Sequence, residues 1–169
     1  MNPYLLFNFT VNKESNTINV EREFAAGLDL VWDAWTKPEI LDQWWAPKPY
    51  RVETKSMDFR IGGRWFYAMI SPENEAHWCL AEYQKIDLKK CFTGLDAFCD
   101  AAGNINTAFP RSLWTNVFQE NKATTTVRIT IKYESLTDLE KIIELGFKEG
   151  FTMALGNLDE YFQEQRVKQ

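Results

Sequence analysis

At 169 residues, 45% of them hydrophobic, the chain is long enough to bury the core of one domain. Its formal charge of -5, with Lys and Arg scattered rather than clustered, supplies no field for phosphate backbones and argues against nucleic acid as a partner. No apolar run has membrane-spanning length, and the short one from Tyr4 to Phe9 has neither a preceding basic residue nor a following small-residue cleavage pattern, so a cytoplasmic protein without membrane insertion is expected.

In chain order, Phe7 to Val11 alternates weakly and Ile18 to Phe24 resumes after KESNT, which predicts a hairpin with Asn16 near its turn. Gly27 interrupts the alternation. Leu28, Val31, Trp32 and Trp35 then share the face of a short helix, and Pro38 opens a second, PEILDQWW, that Pro47 and Pro49 end. From Tyr50 the pattern turns to strands. Tyr50 to Arg60 and Arg64 to Ile70 are joined through Gly62 and Gly63, and alternation puts Trp65, Tyr67 and Met69 on one inner face. His77 to Ile86 is apolar on both sides, leaving open whether Trp78 or Tyr83 points inward. Cys91 to Phe98, Arg111 to Phe118 and Thr124 to Tyr133 complete an antiparallel meander, the last strand with Val127, Ile129, Ile131 and Tyr133 on its buried side.

The C-terminal stretch from Ser135 to Gln165 reads as one long helix. Leu139, Ile142, Ile143, Gly146, Phe147, Gly150, Ala154, Leu158 and Phe162 fall at helical steps, and Phe151, Met153 and Leu155 widen the stripe until the middle is apolar on most sides. Thr137 and Glu140 have capping-box spacing. Such a helix needs cover on more than one face, which the strands can supply by curving over it and leaving a pocket between. Gly146 and Gly150 also fit the G-x-x-x-G spacing of membrane helix pairs, but Glu144, Lys148, Glu149 and Asp159 would have to enter lipid.

The chemistry that residue types allow is narrow. Cys79, Cys91 and Cys99 are odd in number and lack C-x-x-C spacing, so reduced, packed thiols are expected. His77 is the one histidine, too few for a usual zinc site and near no obvious catalytic partner in sequence; neither a metal nor a cofactor is expected. Asp58, Glu82, His77 or a tyrosine would have to supply any acid or base, and Asp58 with Arg60 reads first as a surface pair. Trp44, Trp45, Trp65, Tyr67, Met69, Trp78, Trp114, Phe151 and Leu155 are the candidates for the wall of an apolar pocket, and equally for solid core.

Two segments, VWDAWTKPEILDQWWAP from Val31 to Pro47 and MDFRIGGRWFYAM from Met57 to Met69, resemble the START-like helix-grip superfamily (SRPBCC). Within it the chain is most similar to the AHSA-type branch, named for the C-terminal domain of the activator of the ninety-kilodalton heat-shock ATPase. Trp32, Trp44, Trp45, Arg60, Gly62, Gly63 and Trp65 fall where that branch has its motifs, and Gly150 with Phe151 stands where many members have Gly-Trp. SPENEA lacks the glycine usual in its turn. The resemblance implies an α+β helix-grip fold over residues 1–169. It would have a curved antiparallel sheet of about six to seven strands around the long helix, two short helices after the first strand, and residues 1–17 as an extension or extra edge strand. For function it implies a stress-related binder of a small apolar or aromatic ligand, with a polyketide cyclase or aromatase, or a co-chaperone interaction module, as alternatives. A homodimer and a chaperone partner stay open.

Overall fold

A computed structural model describes residues 5–168. Eight antiparallel strands form one sheet: β1 Phe7–Asn12, β2 Thr17–Phe24, β3 Arg51–Met57, β4 Arg64–Ile70, β5 Ala76–Asp87, β6 Cys91–Cys99, β7 Ser112–Glu120 and β8 Thr125–Tyr133. Their order across the sheet is β1-β2-β8-β7-β6-β5-β4-β3. Eight strands replace the six to seven expected, with β1 paired to β2 as an edge strand; residues 1–4, including Tyr4 of the N-terminal apolar run, lie outside the described residues. Helices α1 Leu28–Thr36 and α2 Pro38–Trp44 carry the chain from β2 to β3 at the opposite edge, with Pro38 in the first turn of α2 as its fixed φ favours.

The sheet is bent rather than flat, with register shifts at Thr54/Ser56 in β3 and Tyr83/Lys85 in β5 of the kind that increase local twist. Its inner face meets the C-terminal helix from β1, where the Phe9 ring lies 6.3 Å from Phe147, to β7, where Trp114 stands edge-on to Phe151 at 5.4 Å. The core between them includes Ile18, Val20, Val127, Ile129 and Ile131 from the sheet and Ala154, Leu155, Leu158 and Phe162 from the helix. Asn157 ties the same helix to the end of α2, donating Nδ2 to the Ala46 carbonyl at 3.0 Å.

The C-terminal segment is two helices, not one: α3 Leu136–Glu144 and α4 Phe147–Val167. Gly146 takes φ 90°, ψ 24°, a left-handed conformation open to glycine, and its N–H closes the end of α3 on the Ile143 carbonyl at 3.0 Å. Apolar spacing continues across the break, so periodicity alone cannot reveal it. The cap of α3 is Ser135, whose hydroxyl accepts from Asp138 N–H at 3.1 Å, in place of the Thr137–Glu140 box. Met153 is 48% exposed, so the waist of α4 is apolar on fewer sides than its sequence implies. Gly156 lies within α4 with no neighbour within 4 Å of an added Cβ. Gly156→Ala is therefore expected to stabilise the fold by about 1 kcal/mol through helix propensity, read as a higher denaturation midpoint.

Strand β3 ends at Met57, earlier than the Arg60 expected, because Asp58 to Gly63 form a loop instead of a tight two-glycine turn. Its Asp58 and Arg60 pair with each other at 2.6 Å, exposed, as a surface pair would.

Candidate functional site

Between the bent sheet and α4 lies a cavity of about 320 Å³, inside the usual range of about 300–1,000 Å³ for small-molecule sites. Period-two alternation builds its walls. Trp65, Tyr67 and Met69 come from β4, Cys79, Ala81 and Tyr83 from β5, Phe92, Gly94 and Asp96 from β6, and Ser112, Trp114 and Asn116 from β7. Phe147, Gly150 and Phe151 close it from α4, and Trp45, just past α2, from one end.

Six of the residues proposed from sequence meet at this wall: Trp45, Trp65, Tyr67, Met69, Trp114 and Phe151. The other three are corrections. Trp44 is 1% exposed and fills the core between α1 and α2, where its Nε1–H donates to the Ala34 carbonyl at 2.8 Å. Leu155 is buried further along α4, in the core and away from the cavity. Trp78 points to the outer face, packed with Phe66, Leu80 and Ala97, because Cys79, Ala81 and Tyr83 hold the inward parity of β5. That settles the face left open by its sequence.

The indoles present rings to the cavity while their N–H groups are engaged in the frame. Trp45 Nε1 donates to Tyr67 Oη at 3.1 Å, Trp65 Nε1 to Thr54 Oγ1 at 3.0 Å and Trp114 Nε1 to Asp96 Oδ2 at 3.1 Å. Trp45 is edge-on to Trp65 and Phe151, and Trp65 stacks on Tyr67 at 3.9 Å.

Asp96 is the one carboxylate on the wall. Its Oδ1 accepts from Ser112 N–H at 2.7 Å and Ser112 Oγ at 2.8 Å, while protein surrounds it and pushes its pKa up by desolvation, the hydrogen bonds and Arg111 opposing. Part of the residue keeps accessible surface because the cavity reaches it. Arg111 does not pair with it: the guanidinium engages Glu82 and the carbonyls of Asp96 and Leu95. Burial pushes the Cys79 thiol up to about 12 and the Tyr67, Tyr83 and Tyr133 phenols above their usual values, so these stay protonated at neutral pH. Two buried polar atoms on wall residues have no partner, the donor Trp35 Nε1 and the acceptor Asn116 Oδ1.

Asp58, Glu82 and His77, the non-tyrosine acid or base candidates, all lie off the wall, and His77 is exposed beside the Tyr50 ring. Among the described residues no cluster of three His, Cys, Asp or Glu could hold a metal ion, and the cysteines are all free. Asp96, Asn116, Gly94 and Phe147 were missed in the sequence. The signal was present for Asp96, which shares the parity of Phe92 in CFTGLDAFC, but a polar residue on an inner face is not distinguishable from an outer one until the neighbouring strands are placed.

The family profile described as "Activator of Hsp90 ATPase homolog 1-like protein" matches residues 25–163. The chain belongs to this family. Solved structures of similar fold include the protein Ms6760 from Mycobacterium smegmatis, 27% identical, covering 93% of this chain and 96% of its own at TM-score 0.85. A Staphylococcus epidermidis protein is 29% identical at TM-score 0.81, covering 92% and 94%. A protein from Arthrobacter aurescens, 23% identical and covering 93% and 91% at TM-score 0.88, shares the fold. Among curated proteins none matches.

In this activator of Hsp90 ATPase homolog 1-like chain, most motif residues serve the frame. Trp32 is edge-on to Phe59, Phe92 and Phe118. Gly62 and Gly63 shape the β3–β4 loop, and of the motif tryptophans Trp45 and Trp65 face the cavity while Trp32 and Trp44 do not. The motif therefore identifies the scaffold more than the ligand. Among the described residues, no helix is long and apolar enough to cross a membrane.

Proposed function

We propose that the protein binds a small apolar or aromatic molecule in the cavity between sheet and α4, as a cytoplasmic ligand-binding member of its family. The observation that supports this reading is the wall itself: aromatic rings from both the sheet and the helices surround about 320 Å³ of space, with the indole N–H groups of Trp45, Trp65 and Trp114 turned to protein partners. Apolar area removed from water on entry of a guest contributes about 25 cal/mol per Å² before the costs of association. The cyclase reading finds less support here: the inward phenols and the Cys79 thiol hold their protons at neutral pH, which leaves Asp96 as the one wall residue able to act as a base.

The test is direct. Native mass spectrometry should retain a small molecule, and an apolar fluorescent dye should bind and be displaced by aromatic compounds. Gly94→Ile separates the cavity from the general surface. A Cβ on Gly94 meets Ala81 Cβ at 3.7 Å and Tyr83 Cδ1 at 4.0 Å, ordinary contact, so the strand admits a Cβ, and from a wall position an isoleucine should extend into the cavity. Dye affinity should fall about tenfold or more, equivalent to about 1.4 kcal/mol, with the thermal midpoint unchanged or raised. Unchanged dye binding in this variant would refute binding in the cavity.

A further inference from the structure

The cavity has an uneven chemistry. No Lys, Arg or His lines it, while one carboxylate, Asp96, does. That carboxylate has neutral hydrogen-bond donors, Ser112 and Trp114, and no salt bridge, since the neighbouring Arg111 is paired with Glu82. The same cavity is lined by the rings of Trp45, Trp65, Tyr67, Trp114 and Phe151, with Trp114 bonded to Asp96 itself, and aromatic π systems attract cations. Asn116, 3% exposed on the same wall, carries an acceptor, Oδ1, with no partner; the unpartnered donor on that wall, Trp35 Nε1, is neutral and leaves the negative sign of the site unchanged. An unpaired carboxylate, an unused acceptor and aromatic faces are together complementary to positive charge bearing N–H donors. An anionic guest, such as a fatty acid or an aromatic acid, would bring a second negative charge to Asp96 and meet no cation.

We propose that the cavity selects organic amines, with the ammonium at Asp96 and an aromatic or aliphatic body among the rings. This rests on the cavity-binding reading above and names the ligand class for it. The ammonium would supply the charge partner that the fold withholds from Asp96, and the body would displace water from apolar wall. A buried carboxylate without a direct ion pair is costly even with Arg111 acting on it through space, and pairing with the ligand would lower that cost only for a guest of the right sign.

A matched set of probes tests it: tryptamine, its neutral counterpart tryptophol, and indole-3-acetate, each titrated calorimetrically at mildly alkaline pH. Tryptamine should bind about tenfold or more tighter than tryptophol, with indole-3-acetate weakest. Asp96→Asn keeps the side-chain shape but turns an amide NH2 toward a donor, Ser112 or Trp114, so both probes can weaken; the ratio of tryptamine to tryptophol affinity should fall to about one.

If that variant fails to fold, the natural protein decides through pH. Its preference for tryptamine should fade as pH drops through the raised pKa of Asp96, because the carboxyl protonates while the amine stays charged. The other groups around Asp96 are Cys79 on β5, Tyr67 on β4 and Tyr133 on β8, all held protonated by burial, and the Arg111–Glu82 pair; the wall residues of α3 and α4 carry no titratable group. Equal affinity for tryptamine and tryptophol, a preference that persists in Asp96→Asn or at acid pH, or tightest binding of indole-3-acetate would overturn amine selection. Failure of tryptamine to bind while the apolar dye binds would overturn it too and leave cavity binding standing. Loss of both dye and probes would bring down the broader reading.

Discussion

Asp159→Ala is expected to destabilise the protein by about 3–5 kcal/mol, as breaking one side of a buried ion pair does elsewhere. Asp159 on α4 pairs with Arg22 on β2, and Arg22 is 0% exposed. The guanidinium also sits over the rings of Phe7 at 5.2 Å and Phe24 at 5.3 Å, so it cannot reach water without opening the contact between β2 and the helix. Its Nε already lacks a hydrogen-bond partner. Without the carboxylate the charge is left buried and alone, and that penalty, rather than the intrinsic worth of the pair, sets the size of the loss. Thermal unfolding should shift down by on the order of 10 °C. The double replacement Arg22→Met with Asp159→Leu should recover most of it, since a pair of apolar side chains leaves no charge to solvate. A single variant within about 1 kcal/mol of the parent would show that Arg22 finds other solvation.

Gly63→Ala should cost about 3 kcal/mol or more, against about 1 kcal/mol for Gly62→Ala, although the two glycines are adjacent. A Cβ on Gly63 would lie 2.1 Å from the Asp58 carbonyl oxygen, which is backbone and cannot swing aside as a long side chain would. The loop is also held on every side. Asp58 N–H donates to the Arg64 carbonyl at 3.0 Å, Gly63 N–H to Arg60 at 2.8 Å, and Gly62 and Gly63 exchange hydrogen bonds with Tyr83 of β5 at 2.9 Å each. Relieving the clash therefore breaks pairing between this loop and β5 and shifts Phe59, whose ring is edge-on to Tyr83 at 4.8 Å and to Phe92 at 5.5 Å. Gly62 has open space around its missing Cβ but sits at φ 88°, so its variant bears backbone strain alone. Denaturant titration of the two variants measures the contrast; equal losses would mean that the loop relaxes freely.

Much of the scaffold was legible because its determinants are local. Helix α1 occupies Leu28–Thr36 and α2 opens at Pro38, both as residue spacing and proline geometry imply, and Trp65, Tyr67 and Met69 share one face because strand alternation requires it. The family resemblance was carried by short segments with fixed local roles, which is why it pointed to the helix-grip architecture. The eighth strand is β1, expected from its weak alternation as half of a hairpin but left outside the six to seven strands that the resemblance implies, and the α3–α4 break came from a glycine that reads alike inside a helix and at its end.

What the linear order of residues determined by itself was the set of elements, their antiparallel succession and the parity of side chains within each strand, since these depend on neighbours a few positions away. Only the tertiary structure decided which aromatic faces border empty space. Trp44 and Trp45 are adjacent and chemically identical, yet one fills the core and the other walls the cavity, because the direction each takes depends on α1, β4 and α4 arriving from distant parts of the chain. The same holds for Asp96, left without a direct salt bridge where Arg111 turns to Glu82, a contact between residues 29 positions apart.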